Sequence, residues 1–302
     1  MKRKQPDVLH VHYGVDCLLY ADVIRDLGIP TCVSFYGYDC TSFPKRFFGY
    51  GERLLQRRVF ENPGVKAVLA MSEDMKRDLI DLGCPAEKIV VHYYGTETRP
   101  FYQETGRREK KRISLLIISG LHEKKGHSDL LNALAMARET ADRPIELNIV
   151  GDGPLRRSIA DQIARMGLKQ VRLCGPVRYG SEEHLEYLRR ADVFVHPSRT
   201  PADGDKEGIP GALIEAMAAG LPVISTLHAG IPHVVENEVH GLLVPERNAA
   251  ALGKAILRLA QNDEFRKTIA RAGQQHALHY LDVVEKEKEL EDIYDALRER
   301  RS

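Results

Sequence analysis

The chain has 302 residues, 43% hydrophobic and 29% charged, with 24 glycines and 15 prolines, a composition that excludes disordered and fibrous classes. Its 44 basic and 43 acidic residues leave a formal charge of +1, so nothing global recommends nucleic acid or any strongly charged partner. Five cysteines without a Cys-x-x-Cys pair fit a reducing compartment better than a disulfide framework. No apolar run approaches the ~20 residues that span a bilayer, and the opening "MKRKQPDVLHVHYG" lacks a signal-peptide core. The expected location is cytoplasmic, with any membrane contact peripheral, at the inner face of the plasma membrane. Two domains are expected, because single cores stop growing beyond roughly 250 residues.

Short Val/Ile/Leu runs alternate with helical periodicity along the chain, the rhythm of parallel sheets flanked by helices. The spacing predicts strands over Asp7–Tyr13, Thr31–Tyr36, Ala67–Met71 and Lys88–Tyr94, with a helix capped by Ser72 between the last two. Lys45–Arg58, "KRFFGYGERLLQRR", reads as an amphipathic helix over the sheet or as a docking surface for an anionic bilayer. After the polar Thr105–Arg112, a linker, strands follow at Ile113–Ser119, Ile145–Gly151, Val171–Gly175, Asp192–Ser198, Leu221–Ser225 and Gly241–Glu246. Six strands with interleaved helices make a complete doubly wound sheet. The chain beyond Asn248 reads as helix, and Leu290, Ile293, Tyr294 and Leu297 keep helical spacing near its end. The expected domains are residues 1–105 and 106–279, with 280–302 a closing helix.

Ligands of such sheets bind beyond the carboxyl ends of the strands. At one such junction Gly151 and Gly153 precede a helix, a turn or a phosphate cradle, without the full dinucleotide fingerprint and without a Walker A sequence anywhere. A second carries Glu207 and Glu215, eight positions apart in "KEGIPGALIEAMAAGLPVIS". On one continuous helix they would lie ~12 Å apart along the axis and about 80° apart around it, a poor arrangement for flanking one bond. Pro210 suits a helix start, so the helix begins near Pro210 or Gly211 and leaves Glu207 in the loop. The backbone N–H groups of Gly208 to Gly211 then face an anion such as phosphate, while the carboxylates suit sugar or ribose hydroxyls.

The segment "HPSRTPADGDKEGIPGALIEAMAAGLPVISTLHAGIPHVVENEVHGLLVPERN" closely resembles the nucleotide-sugar-binding half of the family 4 (group 1) retaining glycosyltransferases, with their E-x7-E motif. The likeness continues upstream through "EKKGHSDLLNALA", "LNIVGDGPLRRSI", "VRLCGPV" and "ADVFVHPS", covering Ile113 to about Leu259 and, more loosely, the first hundred residues. It implies the α/β GT-B fold: two Rossmann-like, doubly wound parallel-sheet domains facing a cleft, the first here without the family's initial strands, and a closing helix that packs back toward the first domain. It implies roles as well. Glu215 would hold the ribose hydroxyls and Glu207 the donor sugar; Gly208 and Ile209 would offer N–H groups, with Pro210 and Gly211 completing the helix start. Lys125 would neutralise the diphosphate as negative charge grows on it. His12, Tyr36, Gly37 and Asp39 fall on the acceptor side.

Two positions depart from the family pattern. Gly120 stands where the family carries an arginine, leaving Lys124 or Arg199 as candidate replacements for a lost forked guanidinium. Tyr36 stands where the family places a histidine, and a phenol with a pKa near ~10 is a poor proton shuttle at neutral pH. The expected function is metal-independent, retaining transfer of a hexose from a UDP-, GDP- or ADP-sugar to a glycan or lipid-linked acceptor, in envelope or exopolysaccharide assembly, without a cofactor. The alternative is a nucleotide-sugar-binding or partner protein of the same fold without turnover. "DGD", Asp203–Asp205, reads as a hydrophilic loop rather than a metal site. His10 reads as structural. An uncovered edge on the first sheet predicts a homodimer.

Overall fold

The computed structural model describes residues 6–104 and 111–299; most of the linker read at Thr105–Arg112 lies outside the described residues. Contacts divide the chain into two units, the first comprising Met1–Gly95, Ala202–Gly208 and Val284–Ser302, the second Thr96–Pro201 and Ile209–Val283.

In the first unit, β1 (Leu9–His12), α1 (Gly14–Leu27), β2 (Thr31–Ser34), α2 (Tyr38–Thr41), α3 (Arg46–Leu55), β3 (Val65–Ala70), α4 (Glu73–Asp81) and β4 (Ile89–Val91) follow in order. The four strands lie in parallel in the order β1-β2-β3-β4. Thr31 to Ser34 are buried on both faces of the sheet, which is why β2 reads as a run rather than an alternation. Ser72 caps α4 by accepting from Met75 N, as its position before an acidic first turn predicts. The first edge strand, β1, pairs with β2 alone among the described residues, and α1 leaves Leu19, Tyr20, Val23 and Leu27 exposed.

The second unit contains β5 (Ile113–Ile118), α5 (His127–Ala137), β6 (Ile145–Val150), α6 (Arg156–Arg165), β7 (Val171–Gly175), α7 (Glu182–Arg190), β8 (Val193–His196), α8 (Gly211–Ala218), β9 (Val223–Thr226), α9 (Ile231–Val234), β10 (Gly241–Val244), α10 (Ala249–Gln261) and α11 (Asp263–Tyr280). Its sheet runs β10-β9-β8-β5-β6-β7, all parallel. The order reverses between β5 and β8, and the crevice at such a switch point is where this architecture receives ligands. Leu115, Ile117, Leu147, Ile149, Val195 and Ile224 form the sheet side of a core closed by Leu130, Leu134, Ile256 and Leu259.

The last helix, α12 (Val283–Glu299), sets Leu290, Ile293, Tyr294 and Leu297 against Cys32, Ala67 and Leu69 of the first sheet. Where the chain passes from one unit to the other, Thr96 N donates to Leu281 O and Val283 N to Thr96 O, both at 2.9 Å. Asp282 is buried and accepts from the backbone and hydroxyl of Thr98.

Candidate functional site

The residues expected to hold a donor divide between the two units. In the second unit, Lys124 and Lys125 end a short turn (Glu123–Lys125) after β5, on one side of the switch point, and Arg199 follows β8 on the other. Three loops interlock there through backbone hydrogen bonds: Ser119 N to Val150 O at 3.0 Å, Leu121 N to Asp152 O at 2.9 Å, and Arg199 N to Lys124 O at 2.9 Å. Glycine makes the approach feasible. A Cβ on Gly126, whose φ is +68°, would fall 1.9 Å from Pro197 O, and one on Gly151, φ +139°, would fall 1.9 Å from Ser119 O. The Gly151–Gly153 junction therefore serves loop packing, whatever else it does.

Lys125 stands in a group of imidazoles. Burial, with the Lys125 charge next, pushes the His127 pKa down to about 4, and the same two causes push that of the fully buried His196 well below its ordinary value. These two rings are neutral at pH 7 and sit beside the Lys125 charge. Arg199 does not add a free charge: its guanidinium reaches Asp129 Oδ2 and Glu123 Oε1, each at 3.1 Å, and its side chain is 17% exposed. Those two carboxylates consume the charge proposed to replace the missing arginine. Gly120 has a neighbour that the sequence did not point to, because a Cβ there would start 2.9 Å from His122 Cδ2. The imidazole occupies the space into which a longer residue 120 would project.

The helix α8 begins at Gly211 with Pro210 at its N-cap position and no side-chain cap, leaving its first N–H groups unclaimed by a cap. One turn in, Glu215 is 6% exposed, and a Cβ on Gly211 would stand 3.6 Å from its Oε1, so the carboxylate folds back toward the helix start. His184, on α7, places Nε2 3.6 Å from Glu215 Oε2, too long for a hydrogen bond. Its Nδ1 accepts from Gly180 N at 3.1 Å, which leaves the proton on Nε2, pointing at the carboxylate with no hydrogen-bond partner. Burial raises the Glu215 pKa to about 7 and lowers that of His184, and neither shift carries a contribution from the other. The contact is therefore a neutral imidazole beside a desolvated carboxyl, not an ion pair. Such a carboxyl is costly to bury unless something donates to it, and a vicinal diol would.

In the first unit, the acceptor-side residues gather at the carboxyl ends of β1 and β2. His12 Nδ1 and Tyr36 Oη are hydrogen-bonded at 2.6 Å. Tyr13, beside them, holds φ at +87°, a conformation that an L-residue adopts at a cost and that clusters at functional sites. Asp39 is fully buried, accepting from Gly14 N at 2.9 Å and from Tyr36 N and Gly37 N at 3.0 Å. Burial drives its pKa up against the pull of those donors. Its carboxylate thus holds Tyr36 and Gly37 in place through their backbones. His10 bridges Ser34 Oγ (2.8 Å) and Tyr294 Oη (2.6 Å), and burial, then His12, lowers its pKa to about 4. It ties β1, β2 and α12 together as a neutral ring.

Glu207 and Gly208 belong by their contacts to this first unit, although α8 belongs to the second. A Cβ on Gly208 would lie 3.1 Å from Tyr36 O, and one on Gly37 3.3 Å from Lys206 O. The structure thus brings the Glu207 loop onto the Tyr36–Gly37 backbone. Among the "DGD" residues, Asp205 N donates to Asp203 Oδ1 at 3.0 Å, and no cluster of three or more His, Cys, Asp or Glu suited to a metal occurs among the described residues. No helix among them is long and apolar enough to cross a membrane.

A switch-point lysine, an uncapped helix start and a buried carboxyl one turn into that helix all belong to the second unit, and groups of these kinds can receive a diphosphate and a vicinal diol. The sequence carries the matching family signatures: residues 112–262 match the profile of "Glycosyl transferases group 1" and residues 1–99 that of "Glycosyltransferase Family 4". The chain belongs to the group 1 glycosyltransferases. Its relatives include the amylovoran biosynthesis glycosyltransferase AmsK of Erwinia amylovora, 36% identical over 85% of this chain and 62% of that protein. The putative colanic acid biosynthesis glycosyltransferase WcaL of Escherichia coli K12 is 33% identical over 88% of this chain and 65% of its own length. The chain thus spans less than two thirds of these relatives. Among solved structures, Anabaena Alr3699/HepE in complex with UDP superposes with a TM-score of 0.82 at 20% identity, over 96% of this chain and 79% of that one. The same protein has been solved with UDP-glucose, with a TM-score of 0.78. At that identity the likeness establishes the GT-B fold.

Proposed function

We propose that this group 1 glycosyltransferase chain binds a nucleotide-activated hexose and transfers the sugar, with retention, to a glycan or lipid-linked acceptor in exopolysaccharide or envelope assembly. The observation that carries the reading is Glu215, a buried carboxyl one turn into a helix whose N-terminus has no side-chain cap, with His184 Nε2 at 3.6 Å, too far to donate; in this reading the carboxyl accepts from a ribose diol. The names of AmsK and WcaL support the polysaccharide setting. UDP and UDP-glucose in the HepE structures support a nucleotide-sugar donor.

In this reading the α8 N-terminus and Lys125 receive the diphosphate, and their positive ends stabilise charge as the sugar C1–O bond breaks. Glu207 accepts from the sugar hydroxyls and orients the ring. The acceptor oxygen attacks C1 from the side the diphosphate leaves, and its proton passes to a departing phosphate oxygen, so no enzyme nucleophile is required. Tyr36 and His12 line the acceptor side with a hydroxyl and an imidazole already paired, which lets the phenol accept from an incoming hydroxyl while donating to the ring. A second reading, a donor-binding protein without turnover, is favoured by the engagement of Arg199 with Asp129 and Glu123, since it leaves position 120 without an arginine substitute.

The test is product analysis. With UDP-, GDP- and ADP-hexoses and an acceptor extract, proton NMR of the glycoside formed reports the anomeric configuration. Retained configuration supports transfer, an inverted product refutes the mechanism, and donor binding without glycoside selects the second reading.

A further inference from the structure

Lys206 directly precedes Glu207, and its ammonium is claimed by one helix. Nζ lies 2.9 Å from each carboxylate oxygen of Asp78 and 3.4 Å from Asp74 Oδ2, both on α4, with the lysine side chain 31% exposed. Burial pulls its pKa down, but the hydrogen bonds and charges of Asp78 and Asp74 outweigh that pull and raise it. Arg77 shares Asp74 at 3.1 Å, and Lys45, Glu52 and Asp81 line the same cavity as Lys206 and Asp78. The helix beneath is well anchored: Ser72 caps it, and Met75 and Leu79 are buried. From this point the loop runs to Tyr36–Gly37, where a Cβ on Gly208 would stand 3.1 Å from Tyr36 O and one on Gly37, at a φ of +128°, 3.3 Å from Lys206 O, both tight approaches. No strand or helix holds residues 202–208. Their placement therefore depends on side chains, and the Lys206 contacts are the strongest kind available, charge-assisted and partly shielded from water.

We propose that Lys206 is a positioning residue: its pairing with Asp78 and Asp74 anchors the loop that carries Glu207 beside Tyr36, and so governs sugar transfer without touching the nucleotide. The inference rests on the reading of Glu207 as the carboxylate that orients the donor sugar. Removing the pair frees the loop while leaving Glu215 and Lys125 in the second unit unaltered. The site borders a cavity of about 320 Å³ lined in part by Thr41, Lys45 and Gly204, so a methionine at 206 has room.

The experiment compares wild type, Lys206→Met, Lys206→Arg and Glu207→Gln by three measurements: amide hydrogen exchange over residues 202–208, calorimetric affinity for UDP, GDP and ADP, and donor hydrolysis with UDP-glucose, GDP-mannose and ADP-glucose. Exchange in the loop is expected to rise at least tenfold in Lys206→Met and to stay near wild type in Lys206→Arg. Affinity for the nucleoside diphosphate should remain within about twofold, while kcat falls at least tenfold and the arginine variant recovers it. Unchanged exchange in Lys206→Met overturns the anchor, and does so whether or not wild type turns over. Freed exchange with kcat intact in Lys206→Met but lost in Glu207→Gln overturns the positioning role. Full activity in Glu207→Gln instead removes the reading of Glu207 on which the inference stands.

Discussion

Replacing Glu215 by glutamine is expected to stabilise the protein while weakening its ligand binding. Burial lifts this carboxyl from its ordinary 4.5 to about 7. Each tenfold change in proton affinity is worth about 1.4 kcal/mol, so the charged form costs about 3 kcal/mol of native-state stability. The sign follows from the direction of the shift. The folded state holds the proton more tightly than the unfolded chain between pH 4.5 and about 7, so stability declines as pH rises through that window and stays reduced above it. A glutamine carries no charge at any pH. Glu215→Gln should therefore melt several degrees above wild type at pH 8, at roughly 2–4 °C per kcal/mol, with the difference closing toward pH 5. The same substitution replaces a charged acceptor by an amide, and hydrogen bonds to charged groups are worth about 1.5–3 kcal/mol each. Affinity for the nucleoside diphosphate should fall at least tenfold. Melting at pH 5, 6.5 and 8 with and without UDP reads both effects. A variant less stable than wild type at pH 8 would show that the carboxylate is held by protein donors, and the diol argument would collapse.

Three further predictions follow from the site. Lys125→Ala should leave the melting temperature within a degree or two, since Lys125 is half-buried on a turn, yet lower diphosphate affinity about tenfold or more; unchanged affinity at 0.1 M salt would remove the lysine from the site. Gly126→Ala puts a Cβ 1.9 Å from Pro197 O at a φ of +68°, so a loss of about 1–3 kcal/mol or more is expected, visible as a lower urea midpoint. Tyr36→Phe deletes the 2.6 Å bond to His12 at a cost of about 1 kcal/mol, and it should slow transfer while leaving nucleotide affinity intact; a matching loss of affinity would place Tyr36 elsewhere in the reaction.

The strands were legible because buried parallel strands announce themselves as apolar runs. Val171–Gly175 is observed as read, whereas the runs at Asp7–Tyr13 and Lys88–Tyr94 are shortened to Leu9–His12 and Ile89–Val91. The backbone pairing reaches one residue further at each carboxyl end, where Tyr13 N donates to Ser34 O at 3.0 Å and His92 N to Ala70 O at 2.7 Å. The start of α8 was legible for a different reason: proline tolerates a helix start and little else. What local pattern could not convey is pairing across long separations. Lys206 meets Asp78 from 128 residues away, and nothing in the E-x7-E stretch places the first glutamate's loop in one unit and the second glutamate's helix in the other. Arg199 read as a free cation after a strand, because Asp129 and Glu123 lie 70 and 76 positions upstream. His184 and His122 carried no signal at all, since a lone histidine in a polar segment is usually solvent-exposed.

We propose that Glu215 and Lys125 together seat a nucleotide-sugar donor. Isothermal titration with UDP-glucose, GDP-mannose and ADP-glucose tests it most directly. The prediction is saturable binding of at least one of them by the wild-type chain, weakened at least tenfold in both Glu215→Gln and Lys125→Ala. Binding of none, or equal binding by wild type and both variants, would contradict it.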